Sequence, residues 1–281
     1  MTIPLIDVET LNVNAERVIF DCRFKLEDPG WGERAWREGH IPGARYLSLD
    51  RDLSGKPDGR NGRHPLPLPA QLAERLGAAG VGADTEVVVY DDMDGRYAAR
   101  AWVLLRWLGH DRAVLLDGGL PAWIAAGGRL ETETPECEPT IFPIRASRLA
   151  MVTANDVETN LSDRTFVVID ARSPARYAGE GETLDPVGGH IPGALNRYLA
   201  DNTTTGQRFK PPGMLAAEWR ALIGERDPAS VVHQCGSGVT ACHNLLAMEC
   251  AGLAGSRLYP GSWSEWCSDS ARPVATGPDP E

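Results

Sequence analysis

A chain that runs through the same four blocks twice has to fold as two similar units. Residues 18–23, VIFDCR, return as 167–172, VVIDAR. Gly39-His40-Ile41-Pro42-Gly43-Ala44 returns as Gly189-His190-Ile191-Pro192-Gly193-Ala194. Next, 87–91, VVVYD, parallels 231–235, VVHQC, and 114–123, VLLDGGLPAW, parallels 257–266, RLYPGSWSEW. The order is kept and the offsets are 149, 150, 144 and 143 residues. Two long copies at near-constant spacing predict two like domains, since a solenoid would use shorter and more numerous units. The stretch 127–147 is rich in Pro, Glu and Thr and lies between the last block of one copy and the first of the next. The predicted organisation is an N-terminal domain at 1–130, a linker at 131–147 and a C-terminal domain at 148–281.

Within each copy, short β-branched runs (18–20, 87–90, 114–116, then 166–169, 231–234, 257–259) read as buried strands. Helical stretches such as 69–79, 97–108, 214–223 and 240–252 separate them. Strands that alternate with helices predict an α/β fold, each domain a mainly parallel sheet flanked by helices. The Gly- and Pro-rich pieces 54–69 and 179–193 read as ordered loops.

Charge narrows the function. Lys and Arg total 28 against 39 Asp and Glu, a net charge of −11. That argues against nucleic acid and anionic membrane as partners, both of which need a basic surface. No apolar run approaches the roughly 18–20 residues of a membrane span. The N-terminus carries no basic segment of the secretory kind. The six cysteines, at 22, 137, 235, 242, 250 and 267, form no CxxC pair and no zinc-ligand spacing. We therefore expect free thiols, a cytoplasmic location and no structural zinc site.

The copies diverge after the strand that ends in VVVYD or VVHQC. Copy two continues Cys235-Gly236-Ser237-Gly238-Val239-Thr240-Ala241-Cys242; copy one continues Asp91-Asp92-Met93-Asp94-Gly95-Arg96-Tyr97-Ala98. Such a strand brings the chain to the carboxyl edge of the sheet, where open α/β sheets bind ligands. Two glycines permit a tight arc and a helix starts near Thr240, so the N–H groups of 236–240 can surround one point as an anion nest. A cysteine at the mouth of that nest is favoured as thiolate, the nucleophilic form. Copy one has Asp91 there, followed by Asp92 and Asp94. Three carboxylates are not expected to make an anion cradle, and that copy is predicted to be inactive.

These features resemble the tandem-domain rhodanese-type sulfurtransferases over essentially the whole chain. The loop at 235–242 is similar to that of the 3-mercaptopyruvate members; thiosulfate members typically carry Arg-Lys where this chain has Gly236-Ser237. The paired GHIPGA motifs and the DGGLPAW and GSWSEW endings match as well. The resemblance implies two rhodanese-like domains meeting at a shared cleft. It also implies a relay without cofactor, in which Cys235 takes sulfur from a small anionic donor as a persulfide. The acceptor would be a thiol, such as thioredoxin or a small thiol, or cyanide. It further implies that Ser237 works with a histidine and an aspartate of the other domain. His64, in Gly62-Arg63-His64-Pro65, matches the histidine, and Asp50 matches the aspartate, with Asp52 a near neighbour. Gly236, Gly238, Val239 and Thr240 would form the substrate loop. Arg176 matches the arginine that holds the donor's carboxylate, a task suited to a planar guanidinium.

One departure concerns the donor. Many mercaptopyruvate members have a second arginine about nine residues beyond the first; here residue 185 is Asp, and Arg197 or Arg208 would have to substitute. 3-Mercaptopyruvate is the favoured donor and thiosulfate the alternative, because a dianion would profit from cations the loop lacks. A non-catalytic sulfur carrier or sensor is the reading from another class. A cysteine phosphatase is disfavoured, since Ala241 stands where its signature needs arginine. Gly236-x-Gly238-x-x-Ala241 also fits a dinucleotide fingerprint, but no acid ends a second strand about 20 residues on. Cys242, two helical turns from Cys235, is expected to be a packed core thiol. His40 and His190 occur in both copies, which favours a turn-building role over chemistry.

Overall fold

Each apolar block becomes a strand, and the strands of each copy lie parallel in one sheet. The computed structural model describes residues 3–13 and 15–280. The N-terminal copy runs β1 (Leu5–Ile6), β2 (Arg17–Asp21), α1 (Trp31–Glu38), β3 (Ala44–Tyr46), α2 (Pro69–Ala78), β4 (Glu86–Tyr90), α3 (Ala98–Trp107), β5 (Ala113–Leu116) and α4 (Gly119–Ala125). The C-terminal copy runs α5 (Ala154–Asp163), β6 (Val167–Asp170), α6 (Pro174–Ala178), β7 (Leu195–Asn196), α7 (Pro212–Ile223), β8 (Val231–Gln234), α8 (Ala241–Cys250), β9 (Arg257–Leu258) and α9 (Ser262–Trp266). The sheet orders are β1-β5-β4-β2-β3 and β7-β6-β8-β9. The second repeats the first with its edge strand reduced to a single parallel bridge, Met151 to Leu258.

Small differences from the predicted elements have local causes. Strand β6 starts one residue late because the side chain of Asn160 takes both backbone groups of Phe166, at 2.9 Å each. Strands β1, β3 and β7 are two or three residues long, too short to leave a periodic signal. The stretch between the copies is not a free tether. Gly77, Leu108 and Arg106 accept backbone bonds from Thr140, Arg145 and Arg148 at 2.9–3.0 Å, which ties it along the N-terminal copy.

The repeated blocks have a common structural purpose. Asp21 and Asp170, each fully buried at a strand end, pair with Arg23 and Arg172. Each arginine then reaches the carbonyl of the glycine that opens the GHIPGA turn, at 2.7 Å to Gly39 and 2.6 Å to Gly189. The turn histidines stay with their own copies: His40 Nδ1 lies 2.7 Å from the Trp36 carbonyl and His190 Nδ1 2.9 Å from that of Tyr177. Buried acids are tolerated here because partner and hydrogen bonds are both supplied.

The two copies meet through α3 and α8. Residues 98–105 of α3 are all buried, and Glu249 alone escapes burial in α8. Both helices are thus enclosed on nearly every side, mostly by apolar neighbours. One continuous cluster joins Trp102 and Leu105 of α3, Leu245 and Leu246 of α8, and Val89 and Val231 of the two sheets. Each fully buried Leu or Val in it contributes about 1.5–3 kcal/mol. The loop before α8 forms one wall of the cleft between the copies, and Phe24, Leu49, His64 and Tyr97 of the N-terminal copy line the other.

Candidate active site

Cys235 follows β8 directly and is 1% exposed. Its amide donates to Ser262 Oγ at 3.1 Å, and its carbonyl accepts from Trp263 at 3.0 Å. Both bonds come from the segment opening α9, so the repeated GSWSEW block anchors the backbone of Cys235. The chain then turns over Gly238, whose φ is +75°. A β-carbon there would lie 2.1 Å from the Pro260 carbonyl oxygen, so the arc admits glycine alone. Among the described residues, the N–H groups of 236–240 find no acceptor. They border a cavity of about 110 Å³ lined by Cys235, Gly236, Ser237, Val239 and Thr240. Open N–H groups at the start of α8 make this a place for an anion.

The opposite wall comes from the N-terminal copy. His64 Nδ1 lies 2.8 Å from Ser237 Oγ, across the domain boundary. His64 Nε2 lies 3.2 Å from Asp50 Oδ1. Asp52, the near neighbour, is elsewhere: its carboxylate accepts from the Ser48 amide at 2.8 Å and from Arg75 at 3.2 Å. An acid, a histidine and a hydroxyl thus stand in line beside the thiol, and a proton can pass between them.

Arg176 lines the same cavity, but its guanidinium is engaged by Glu182 at 2.8–3.1 Å and touches Asp185 at 3.5 Å. Neither Arg197 nor Arg208 substitutes for the second arginine. Arg197 binds Glu218 at 2.7 Å and covers Trp219, while Arg208 packs on Gly118. The second guanidinium is that of Arg63, which lines the cavity from the N-terminal side and pairs closely with Asp185. It adjoins His64 in sequence, yet only the docking of one domain on the other reveals its direction.

Arg100 also went unmarked in the sequence. It is fully buried on α3, and its guanidinium donates to the carbonyls of Leu53, His64, Pro65 and Gly238 at 3.1–3.4 Å. It joins the histidine's segment to the cysteine's loop. Cys242 is a core thiol, its Sγ 3.2 Å from the Gly238 carbonyl, and burial pushes it up to about 12.

A rhodanese-like domain model matches the chain twice, over residues 7–126 and 153–269. The chain belongs to the rhodanese family. It is an enzyme of the sulfurtransferase class. It is 48% identical over 262 residues to a probable 3-mercaptopyruvate sulfurtransferase of Pseudomonas aeruginosa, covering 92% of each chain. It is 38% identical over 271 residues to a putative thiosulfate sulfurtransferase of Mycobacterium tuberculosis, covering 92% of this chain and 90% of that one. The solved 3-mercaptopyruvate sulfurtransferase of Leishmania major superposes with a TM-score of 0.84 at 28% identity, covering 96% of this chain and 75% of that one. No helix among the described residues is long and apolar enough to cross a membrane.

Comparing the two rhodanese copies corrects one expectation. The loop after β4 does form an anion cradle, and Asp91 fills it. Its carboxylate accepts the N–H groups of Met93, Gly95, Tyr97 and Ala98 at 2.9–3.1 Å. The acids do not crowd one another out: Asp94 turns away to Arg96 at 2.7 Å. This loop is one residue longer than its counterpart, the step by which the repeat offset falls from 144 to 143. Burial pushes the Asp91 carboxyl up to about 6, against the pull of those donors.

Proposed function

We propose that this sulfurtransferase takes a sulfane sulfur from 3-mercaptopyruvate onto Cys235 and passes it to a thiol or to cyanide. The observation that carries the reading is the contact of His64 with Ser237 across the domains, 2.8 Å long, beside the thiol. The Cys235 thiolate attacks the donor's sulfur, an S–S bond forms and the C–S bond breaks. The electron pair of that bond leaves as the enolate of pyruvate. Ser237 and His64 carry the proton from the transferred sulfur to the enolate carbon, and Asp50 holds the histidine's orientation. Pyruvate departs and Cys235 keeps a persulfide anion, which the N–H groups of 236–240 stabilise. An acceptor thiol attacks the outer sulfur and regenerates the thiolate. Arg176 binds the donor's carboxylate.

Thiosulfate stands as second donor, supported by two guanidinium groups at the cavity. A reducing compartment, the cytoplasm, suits six thiols that form no disulfide. The test is initial rates with each donor and one thiol acceptor, with Cys235→Ser as control, and the intact mass after donor alone. A mercaptopyruvate preference, a gain of one sulfur atom, and loss of both in the control are expected. Turnover that survives in Cys235→Ser would overturn the reading.

A further inference from the structure

Two guanidinium groups stand over Gly236, the residue after Cys235, and they come from different domains. A β-carbon on Gly236 would lie 2.9 Å from Arg63 Nη2 and 3.5 Å from Arg176 Nη1. Facing them are two carboxylates, both almost wholly buried. These two acids are held in different ways. Glu182 is built into its loop, accepting the amides of Thr183, Leu184 and Asp185 at 2.9–3.2 Å as well as Arg176. The carboxylate of Asp185 touches only Arg63 and Arg176 among the described residues. It takes no amide hydrogen of its own. Arg63, for its part, keeps a buried Nε with no acceptor.

We propose that Asp185 is an internal carboxylate that occupies the guanidinium pair of Arg63 and Arg176, where the sulfur donor's anion binds, until the donor arrives. This rests on the reading of Cys235 as the reacting thiol. A carboxylate between two guanidinium groups is the arrangement that a donor carboxylate would need, since each fork offers parallel N–H donors. Asp185 is the replaceable partner because nothing but those two groups holds it. A neighbouring cleft of about 810 Å³, bordered by Arg63, Leu184, Asp185 and Val187, offers room for the displaced side chain and a path for the donor. Displacement exchanges one ion pair for another, so the internal acid lowers affinity for every anion without blocking the site. It also cancels charge, so that Arg63 and Arg176 against Glu182 and Asp185 leave the subsite neutral. That balance disfavours a dianion such as thiosulfate more than a monoanion.

The experiment alkylates Cys235, with no turnover required. Iodoacetate carries a carboxylate and iodoacetamide does not, so the ratio of their rates at Cys235, followed by mass spectrometry of its peptide, reads the subsite alone. Asp185→Asn should raise that ratio about tenfold. Arg63→Gln in the Asp185→Asn background should bring it back down. The double variant separates a direct contact from a mere counter-ion: if its ratio equals that of Asp185→Asn, Arg63 serves only Asp185 and the proposal fails. A ratio that falls in Asp185→Asn also overturns it, because the acid would then be supporting the subsite and not occupying it. Alkylation that behaves as expected in a protein inactive with either donor would spare the subsite and sink the sulfurtransfer reading instead.

Discussion

Arg100 offers the strictest test of how the cleft is held. Its guanidinium makes five N–H···O contacts to four carbonyls, and among the described residues no carboxylate pairs with it. Burial lowers its pKa, so the charge is carried at a cost that only these carbonyls and the nearby thiols Cys242 and Cys235 offset. Arg100→Lys keeps the charge but has three donors, so at least two of the five contacts are lost. At about 1.5 kcal/mol for a long charged hydrogen bond, that is roughly 3 kcal/mol. For a chain of this size the midpoint of thermal unfolding should fall by about 6–12 °C. Activity should suffer separately, since the lost contacts release the carbonyls of His64 and Gly238, one on each side of the Cys235 cavity. A drop of at least tenfold in kcat/KM, measured well below the new midpoint, is expected. A variant that melts within 2 °C of the parent and keeps its kcat/KM would refute the argument.

Other variants sort by burial. Asp50 is 44% exposed, so its pairing with His64 is worth no more than about 1 kcal/mol, and Asp50→Asn should lower kcat/KM less than about fivefold. His64→Gln, at a buried position, should cost about a hundredfold or more, with KM moving little; equal losses in the two would contradict the relay. Asp91 makes stability depend on pH in an unusual direction. Its carboxyl sits at about 6 in the fold against an ordinary 3.8, so the folded protein holds that proton more tightly. The stabilisation is complete below about 4 and is lost as pH rises through 6, amounting to roughly 1–2 kcal/mol between pH 5 and 8. The difference between the urea midpoints of the parent and Asp91→Asn should therefore shift against the parent as pH rises from 5 to 8; parallel curves would show that Asp91 keeps one protonation state throughout.

What could be read from the sequence was what repeats and what stays local. The four blocks mark β2, β4 and β5 and their counterparts, because buried parallel strands leave continuous apolar runs. Cys235 was legible from its own neighbours: a strand end, two glycines and a helix start all lie within eight residues. His64, Asp50 and Ser237 could be picked out only through likeness to other chains, and the structure brings them together. Arg63 and Arg100 could not be picked out at all. Each acts across the domain boundary, and the direction of a side chain there depends on docking, which no local pattern records. Asp91 was misread for a related reason. Counting charges suggested that no anion cradle forms, whereas the backbone turns its N–H groups onto one of the three acids and another pairs with Arg96.

The contact between His64 and Ser237 has a consequence for the chain's ancestry. A duplicated gene begins with a spare, and either copy can decay while the other carries on. Here the cysteine stands in one copy and its histidine and aspartate in the other, around a single shared core. Once the parts were divided that way, neither half could be deleted, exchanged or freed to evolve alone. Losing the N-terminal copy would strip the thiol of its partners and lay α8 bare to water. The two halves are now inherited as one unit, although the strand order they share still shows that they were once the same.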